Sequence, residues 1–140
     1  MTPDSKDKAR AIARASLEKK AARVLILHVA KLTSFTDYLV ICSGDSERQV
    51  KAIAEHIETM LSGERLNPMH IEGATTAQWI LMDFGDVVTH VFRSDIREHY
   101  GLEKLWRDAK SISVPTEPPS PAVAPPRATG PRTVRVRRQG

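Results

Sequence analysis

The sequence predicts an α/β domain built on a mixed β-sheet of about five strands flanked by helices. Three observations predict it. Two short apolar runs, Val24-Leu25-Ile26-Leu27 and Tyr38-Leu39-Val40-Ile41-Cys42, are the continuous kind found in strands buried on both faces. A helical repeat of apolar residues fills 50–61, and two alternating segments flank Gly85-Asp86. The resulting order, α-β-β-α-β-β-β-α, mixes hairpin and crossover connections.

Residues 5–20 read as the first helix, with Ala9, Ile12, Ala13, Ser16 and Leu17 on one side. Asp4 or Ser5 caps its start, and Lys19 and Lys20 suit the negative end of its dipole. Strands follow at 23–29 and 37–43, joined by the polar link 31–36; they pair directly or through a third strand. Gly44-Asp45-Ser46 ends the second strand, and Ser46 with Gln49 makes a capping box. Val50, Ile53, Ala54, Ile57 and Leu61 then form one stripe, with Gly63 beyond it. Residues 68–72 read as a short edge strand because Pro68 is confined to edges and strand starts. Segments 78–84 and 87–92 form a hairpin. Alternation puts Trp79, Leu81 and Asp83 on one face and Ile80, Met82 and Phe84 on the other. Two helical pieces, 94–99 and 102–110, are broken at Gly101, the second with Leu102, Leu105, Trp106 and Ala109 as its apolar face. The folded domain is expected over 1–112 and a disordered Pro/Arg-rich tail over 113–140. Seven of the nine prolines lie between Pro115 and Pro131, a composition that cannot build a core.

The charge lies almost entirely in that tail. Arg127, Arg132, Arg135, Arg137 and Arg138 face Glu117 alone after residue 114, which accounts for the whole formal net charge of +4. The first 114 residues sum to zero, so they lack the basic surface usual for a nucleic-acid-binding domain. One cysteine, Cys42, excludes an internal disulfide and a multi-cysteine zinc site. No apolar run approaches the roughly 18 residues of a spanning helix. Asp4, Asp7 and Glu18 interrupt the basic start, unlike a secretory or transit peptide. A cytoplasmic protein is the expectation.

Few motifs carry chemistry. Asp83-Phe84-Gly85 matches a kinase metal-binding triplet, but no glycine-rich loop or H-R-D loop accompanies it, and it reads as a tight turn. Ser43-Gly44-Asp45-Ser46 meets a helix start, where free N–H groups favour phosphate. Nucleotidyl transfer also needs paired carboxylates for two metals, and no D-x-D is present. A capped turn is the plainer reading of that segment. The histidines His28, His56, His70, His90 and His99 show no H-x-x-x-H spacing, so no metal or other cofactor is expected. Cys42 reads as a small buried side chain. His90 and Asp83 are candidates for a structural hydrogen bond across the hairpin. Trp79, Tyr100 and Trp106 are three of only seven aromatic residues, and such side chains anchor interfaces.

The series Leu32-Thr33-Ser34-Phe35-Thr36-Asp37-Tyr38-Leu39-Val40-Ile41, Ser43-Gly44-Asp45-Ser46-Glu47-Arg48-Gln49-Val50, Glu72-Gly73 and Trp79-Ile80-Leu81-Met82-Asp83-Phe84-Gly85-Asp86-Val87-Val88 runs on through His90-Val91-Phe92 to Arg97-Glu98-His99-Tyr100-Gly101-Leu102-Glu103-Lys104-Leu105-Trp106. Together these resemble the ribosomal silencing factor family, also called Iojap-like, over about residues 5–110. The resemblance implies a nucleotidyltransferase-like fold without the catalytic carboxylates. It implies binding to the fourteenth protein of the ribosomal large subunit, where the bound factor blocks small-subunit joining and lowers translation under nutrient limitation. A homodimer is implied for the free chain. Carried onto this sequence, the contact residues are Trp79, Asp83, His90, Arg93, Tyr100, Glu103 and Lys104. The tail after Pro115 is not part of the family pattern; its five arginines read either as a tethered contact to ribosomal RNA phosphates or as a solvated extension. His99 precedes Tyr100 where the family pattern has an aromatic. The rival reading is a nucleotidyltransferase-like enzyme or a phosphate- or nucleotide-binding protein.

Overall fold

The computed structural model describes residues 4–114. The tail arginines assigned to RNA contact therefore lie outside the described residues. The elements run α1 (Ser5–Glu18), β1 (Ala22–His28), β2 (Tyr38–Gly44), α2 (Glu47–Ser62), β3 (His70–Glu72), β4 (Trp79–Asp83), β5 (Val87–Arg93), α3 (Ser94–Tyr100), α4 (Leu102–Leu105) and β6 (Lys110–Ile112). They form one mixed six-stranded sheet, ordered β3-β4-β5-β2-β1-β6. The central pair β2–β5 is parallel and every other pair antiparallel. β2 is buried along nearly its whole length, which is why it reads as an unbroken apolar run.

The link between β1 and β2, left open by the sequence, is direct antiparallel pairing. The sixth strand starts at Lys110, the last residue assigned to the final helical piece, and runs on through Ser111 and Ile112. That helix stops after one turn, Trp106 leaves the helical region at φ −111°, and Lys110 pairs with His28. Its expected apolar face divides accordingly. Leu102, Trp106 and Ala109 pack on the sheet, while Leu105 is 77% exposed.

The two faces of the sheet are covered unequally. On one, α1 and α2 lay Ile12, Ala13, Val50, Ile53 and Ile57 against Ile26, Val40, Cys42, Ile80, Met82 and Val91. On the other, α3, α4 and the Trp106 turn cover Leu27, Leu39, Ile41 and Phe92. Eleven residues of helix cannot span six strands, and Trp79, Leu81, Asp83 and Val88 are left half-buried.

Side chains fasten the covered face. Ser46 Oγ accepts from the Gln49 N–H at 3.1 Å, as the capping box requires. Gln49 Oε1 reaches one residue further back than the box predicts, accepting from the Asp45 N–H at 2.6 Å. Its Nε2 donates to the Lys19 and Lys20 carbonyls, which ties the end of α1 to the start of α2. The β4–β5 turn is tied to α1 by Asp86, which accepts from Ser5 Oγ and Lys8 Nζ, each at 2.6 Å. Burial opposes ionisation of Asp86, but these bonds outweigh it and hold the carboxyl below its ordinary range.

The entry to β4 depends on Gly73. Its φ is +85°, and a Cβ there would lie 2.0 Å from the Trp79 carbonyl oxygen. Gly73→Ala is expected to cost roughly 2–4 kcal/mol, because neither the backbone angle nor the space suits a side chain. Urea unfolding checks this; a loss below about 0.5 kcal/mol, the scale of neutral surface changes, contradicts it.

Candidate functional site

The half-covered face carries an aromatic cluster. Antiparallel register places Trp79, at the start of β4, directly opposite Phe92 on β5. Cross-strand neighbours on one face touch, and the two rings stack at 4.8 Å between centroids. His90 lies two residues from Phe92 along β5, diagonal to Trp79 and only 7% exposed. The Trp79 Nε1–H donates to His90 Nδ1 at 3.0 Å. Tyr100, the last residue of α3, brings its ring to 5.0 Å from Trp79 and stays 57% exposed. The result is a partly open aromatic surface over a buried floor of His90 and Phe92.

His90 must be neutral to serve as floor. An imidazolium has no acceptor nitrogen, so protonating Nδ1 would break its bond to Trp79. Burial pushes the His90 pKa down to about 4.

The other expected contacts are distributed around this cluster. Glu103 lies on α4, where Oε1 and Oε2 accept from Arg97 Nε and Nη2 at 3.2 and 3.0 Å. Lys104 is exposed beside it. Arg93 ends β5 and is held by Asp95, at 2.7 and 3.0 Å, and by Glu47 at 2.8 Å. Asp83 stands at the opposite end of β4, four residues and about 13 Å along the strand from Trp79. Thus Trp79, His90 and Tyr100 share one surface, Glu103 on α4 is engaged with Arg97 and Arg23, Lys104 is exposed, and Asp83 stands apart.

Asp83 also does not meet His90. The register pairs His90 with Leu81 and Asp83 with Val88. Asp83 Oδ1 instead accepts from the Gly85 N–H at 2.7 Å, so the Asp-Phe-Gly triplet is a turn.

Two residues in this region escaped sequence reasoning. Phe92 was detectable, since alternation puts it on the face of His90. Arg97 gave no signal, because an arginine in a short polar helix looks solvent-facing. It is 2% exposed, with its guanidinium bonded to the Arg23 carbonyl, Ser43 Oγ and Glu103.

Side chains take two of the N–H groups around the Ser43–Ser46 segment. The Asp45 and Gln49 N–H groups go to Gln49 Oε1 and Ser46 Oγ, while Ser43 Oγ donates to the Ala22 carbonyl at 3.0 Å. Burial pushes the Cys42 thiol up to about 12, against smaller opposing effects of Arg97 and Ser16, which keeps it protonated and unreactive. Among the described residues no group of three His, Cys, Asp or Glu side chains is arranged to hold a metal ion. Nor is any helix among them long and apolar enough to cross a membrane.

The fold and this surface define an α/β domain with a partly exposed aromatic patch on the half-covered face of its sheet. The model of the family described as "Ribosomal silencing factor during starvation" matches residues 2–138. The chain belongs to the ribosomal silencing factor family. It is 40% identical over 97 residues to the ribosomal silencing factor of Halalkalibacterium halodurans, covering 69% of this chain and 83% of that protein. It is 35% identical over 92 residues to a mouse protein named for mitochondrial assembly of the ribosomal large subunit, covering 64% of this chain and 40% of that one. A crystal structure from Chromobacterium violaceum superposes with a TM-score of 0.73 at 30% identity, covering 87% of this chain and 95% of the other.

His90 sets a pH dependence. It titrates near 4 when folded, against about 6.5 when unfolded. Between those values the unfolded chain binds more protons, so stability rises with pH and is lost as pH falls from about 6.5 towards 4. The full loss is about 3 kcal/mol. Melting temperatures at pH 7 and pH 4.5 are expected to differ less in His90→Gln, which keeps an acceptor for Trp79 without titrating. Equal differences in both proteins contradict this assignment.

Proposed function

We propose that this chain represses translation by occupying the ribosomal large subunit where the small subunit docks, with its fourteenth protein as the contact. The observation that carries this reading is the aromatic patch: Tyr100, largely exposed, tilted against a half-buried Trp79 over a floor of Phe92 and neutral His90. Rigid aromatic side chains bury large area at small entropic cost, which suits the centre of an interface. Arg93, Glu103 and Lys104, and Asp83 farther along β4, are the charged residues that set register and reject wrong partners. The family description and the mouse relative's name direct the patch to the large subunit. Steric exclusion needs only a stable footprint, and roughly 800 Å² per partner is the standard size. Such a factor acts in the cytoplasm, and the half-covered face is also the surface on which two free chains would pair as a homodimer.

The rival, a nucleotide-binding enzyme, is disfavoured by the Gln49 and Ser46 side chains, which already take the Asp45 and Gln49 N–H groups at the start of α2. A phosphate there would have to displace the side chains of Gln49 and Ser46 and lie beside Glu47. Millimolar nucleotide with magnesium is therefore expected to leave the melting temperature unchanged, since only a ligand of the folded state raises it.

Light scattering of subunit joining tests the proposal. Wild-type protein in excess is expected to reduce joining, and Tyr100→Ala to weaken binding to large subunits by about 2 kcal/mol, or roughly thirtyfold. Undiminished joining with excess wild type contradicts the reading. The tail arginines, Arg127, Arg132, Arg135, Arg137 and Arg138, add an electrostatic contact to ribosomal RNA. Deleting residues 115–140 is then expected to weaken binding and flatten its dependence on salt. Equal affinity with and without the tail at every salt concentration removes that role.

A further inference from the structure

Tyr100 closes a seven-residue helix, and the next helix has four residues. Helices this short do not hold themselves together in water. α3 has no side-chain cap at its start, and Gly101 links it to α4 through a left-handed turn at φ 57°. Something else must fix Tyr100 against Trp79.

We infer that Arg97 is the positioning residue of the docking patch: its buried guanidinium clamps α3 and α4 onto the bulged end of β1 and so sets Tyr100 on Trp79. The inference rests on the docking reading above and adds how the patch is assembled. One guanidinium reaches three elements besides its own. Nη1 donates to the Arg23 carbonyl of β1 at 2.7 Å and to Ser43 Oγ of β2 at 3.2 Å. Nε and Nη2 donate to Glu103 of α4 at 3.2 and 3.0 Å. Tyr100 is three residues after Arg97, so a fixed Arg97 fixes the rotation of the helix that carries Tyr100.

The β1 side of the clamp is built for this contact. Between Ala22 and Leu25 the β1–β2 register gains one residue, a bulge. Arg23 in that bulge has φ 53°, a conformation that a non-glycine residue adopts only when its surroundings enforce it. The bulge delivers the Arg23 carbonyl to Arg97. The Arg23 side chain then returns to Glu98 and Glu103, at 3.7 Å from each. Glu103 acts through Arg97: bonds from that guanidinium come first in outweighing burial, and they hold its carboxyl below the ordinary range. A lysine at 97 is a single point donor and cannot span these acceptors.

Two variants approach the clamp from opposite ends. Arg97→Lys keeps the charge and loses the fork, whereas Glu103→Gln keeps the shape at a partly exposed position and loses the charge. Ile57→Val, in the core under α2, is the control for a general loss of stability. In the free protein, nuclear Overhauser contacts between the Trp79 and Tyr100 rings are expected to weaken in both clamp variants and persist in the control. On isolated large subunits, both clamp variants are expected to bind on the order of tenfold more weakly, the loss that follows when an anchor is no longer preorganised. The control is expected to bind as wild type does. Ring contacts that persist in both clamp variants, or wild-type affinity despite lost contacts, overturn the inference. Wild type that fails to bind large subunits overturns the docking reading instead, and the ring contacts in the free protein then decide the role of Arg97.

Discussion

A guanidinium shut away from water has only the protein's acceptors to satisfy it, and removing one leaves a buried charge short of a partner. Arg97 is in that position. Its bonds tie α3 and α4 to the paired strands β1 and β2. The strained bulge at Arg23 exists within the same set of contacts. The location of the aromatic patch follows from this arrangement. Trp79 is set by the sheet, through its pairing with Phe92, and Tyr100 is set by the short helices that Arg97 holds down.

The unequal covering of the sheet gives the domain its functional asymmetry. α1 and α2 close one face with a continuous core, tied at one end by Gln49 and at the other by Asp86. That face supplies stability. The opposite face has about one-third of the helix and leaves the β4 side open. A half-buried tryptophan whose indole N–H is already bonded to His90 offers a partner its apolar surface and needs no new hydrogen bond. Such a patch adds affinity by excluding water, and the charges around it decide orientation. Cys42 is buried and protonated, and the Gln49 and Ser46 side chains take the Asp45 and Gln49 N–H groups.

Much of this was legible in the sequence where local pattern decides the outcome. The α2 stripe from Val50 to Leu61, the Ser46 cap, the Gly85-Asp86 hairpin and the alternation of Trp79 with Ile80 are all as the spacing predicts. The pairing of β1 with β2 and the parallel junction of β2 with β5 depend on tertiary packing, and no local pattern encodes them. Strand β6 was hidden because Leu102, Leu105, Trp106 and Ala109 have helical spacing, while the helix breaks after Leu105 and Ala109 leads into the sheet edge. In the site, the aromatic members stood out by rarity. Arg97 did not, because burial of a charge depends on acceptors distant in sequence, here Arg23 and Ser43.

The central claim is that the Trp79–Tyr100 patch is the surface that meets the large subunit. Photo-crosslinking from position 100 tests it most directly, with benzoylphenylalanine replacing tyrosine so that an aromatic ring remains beside Trp79. Incubated with isolated large subunits and irradiated, the protein is expected to link to the fourteenth large-subunit protein. A protein that sediments with large subunits yet gives no crosslink from position 100, or links only to a different component, contradicts the account.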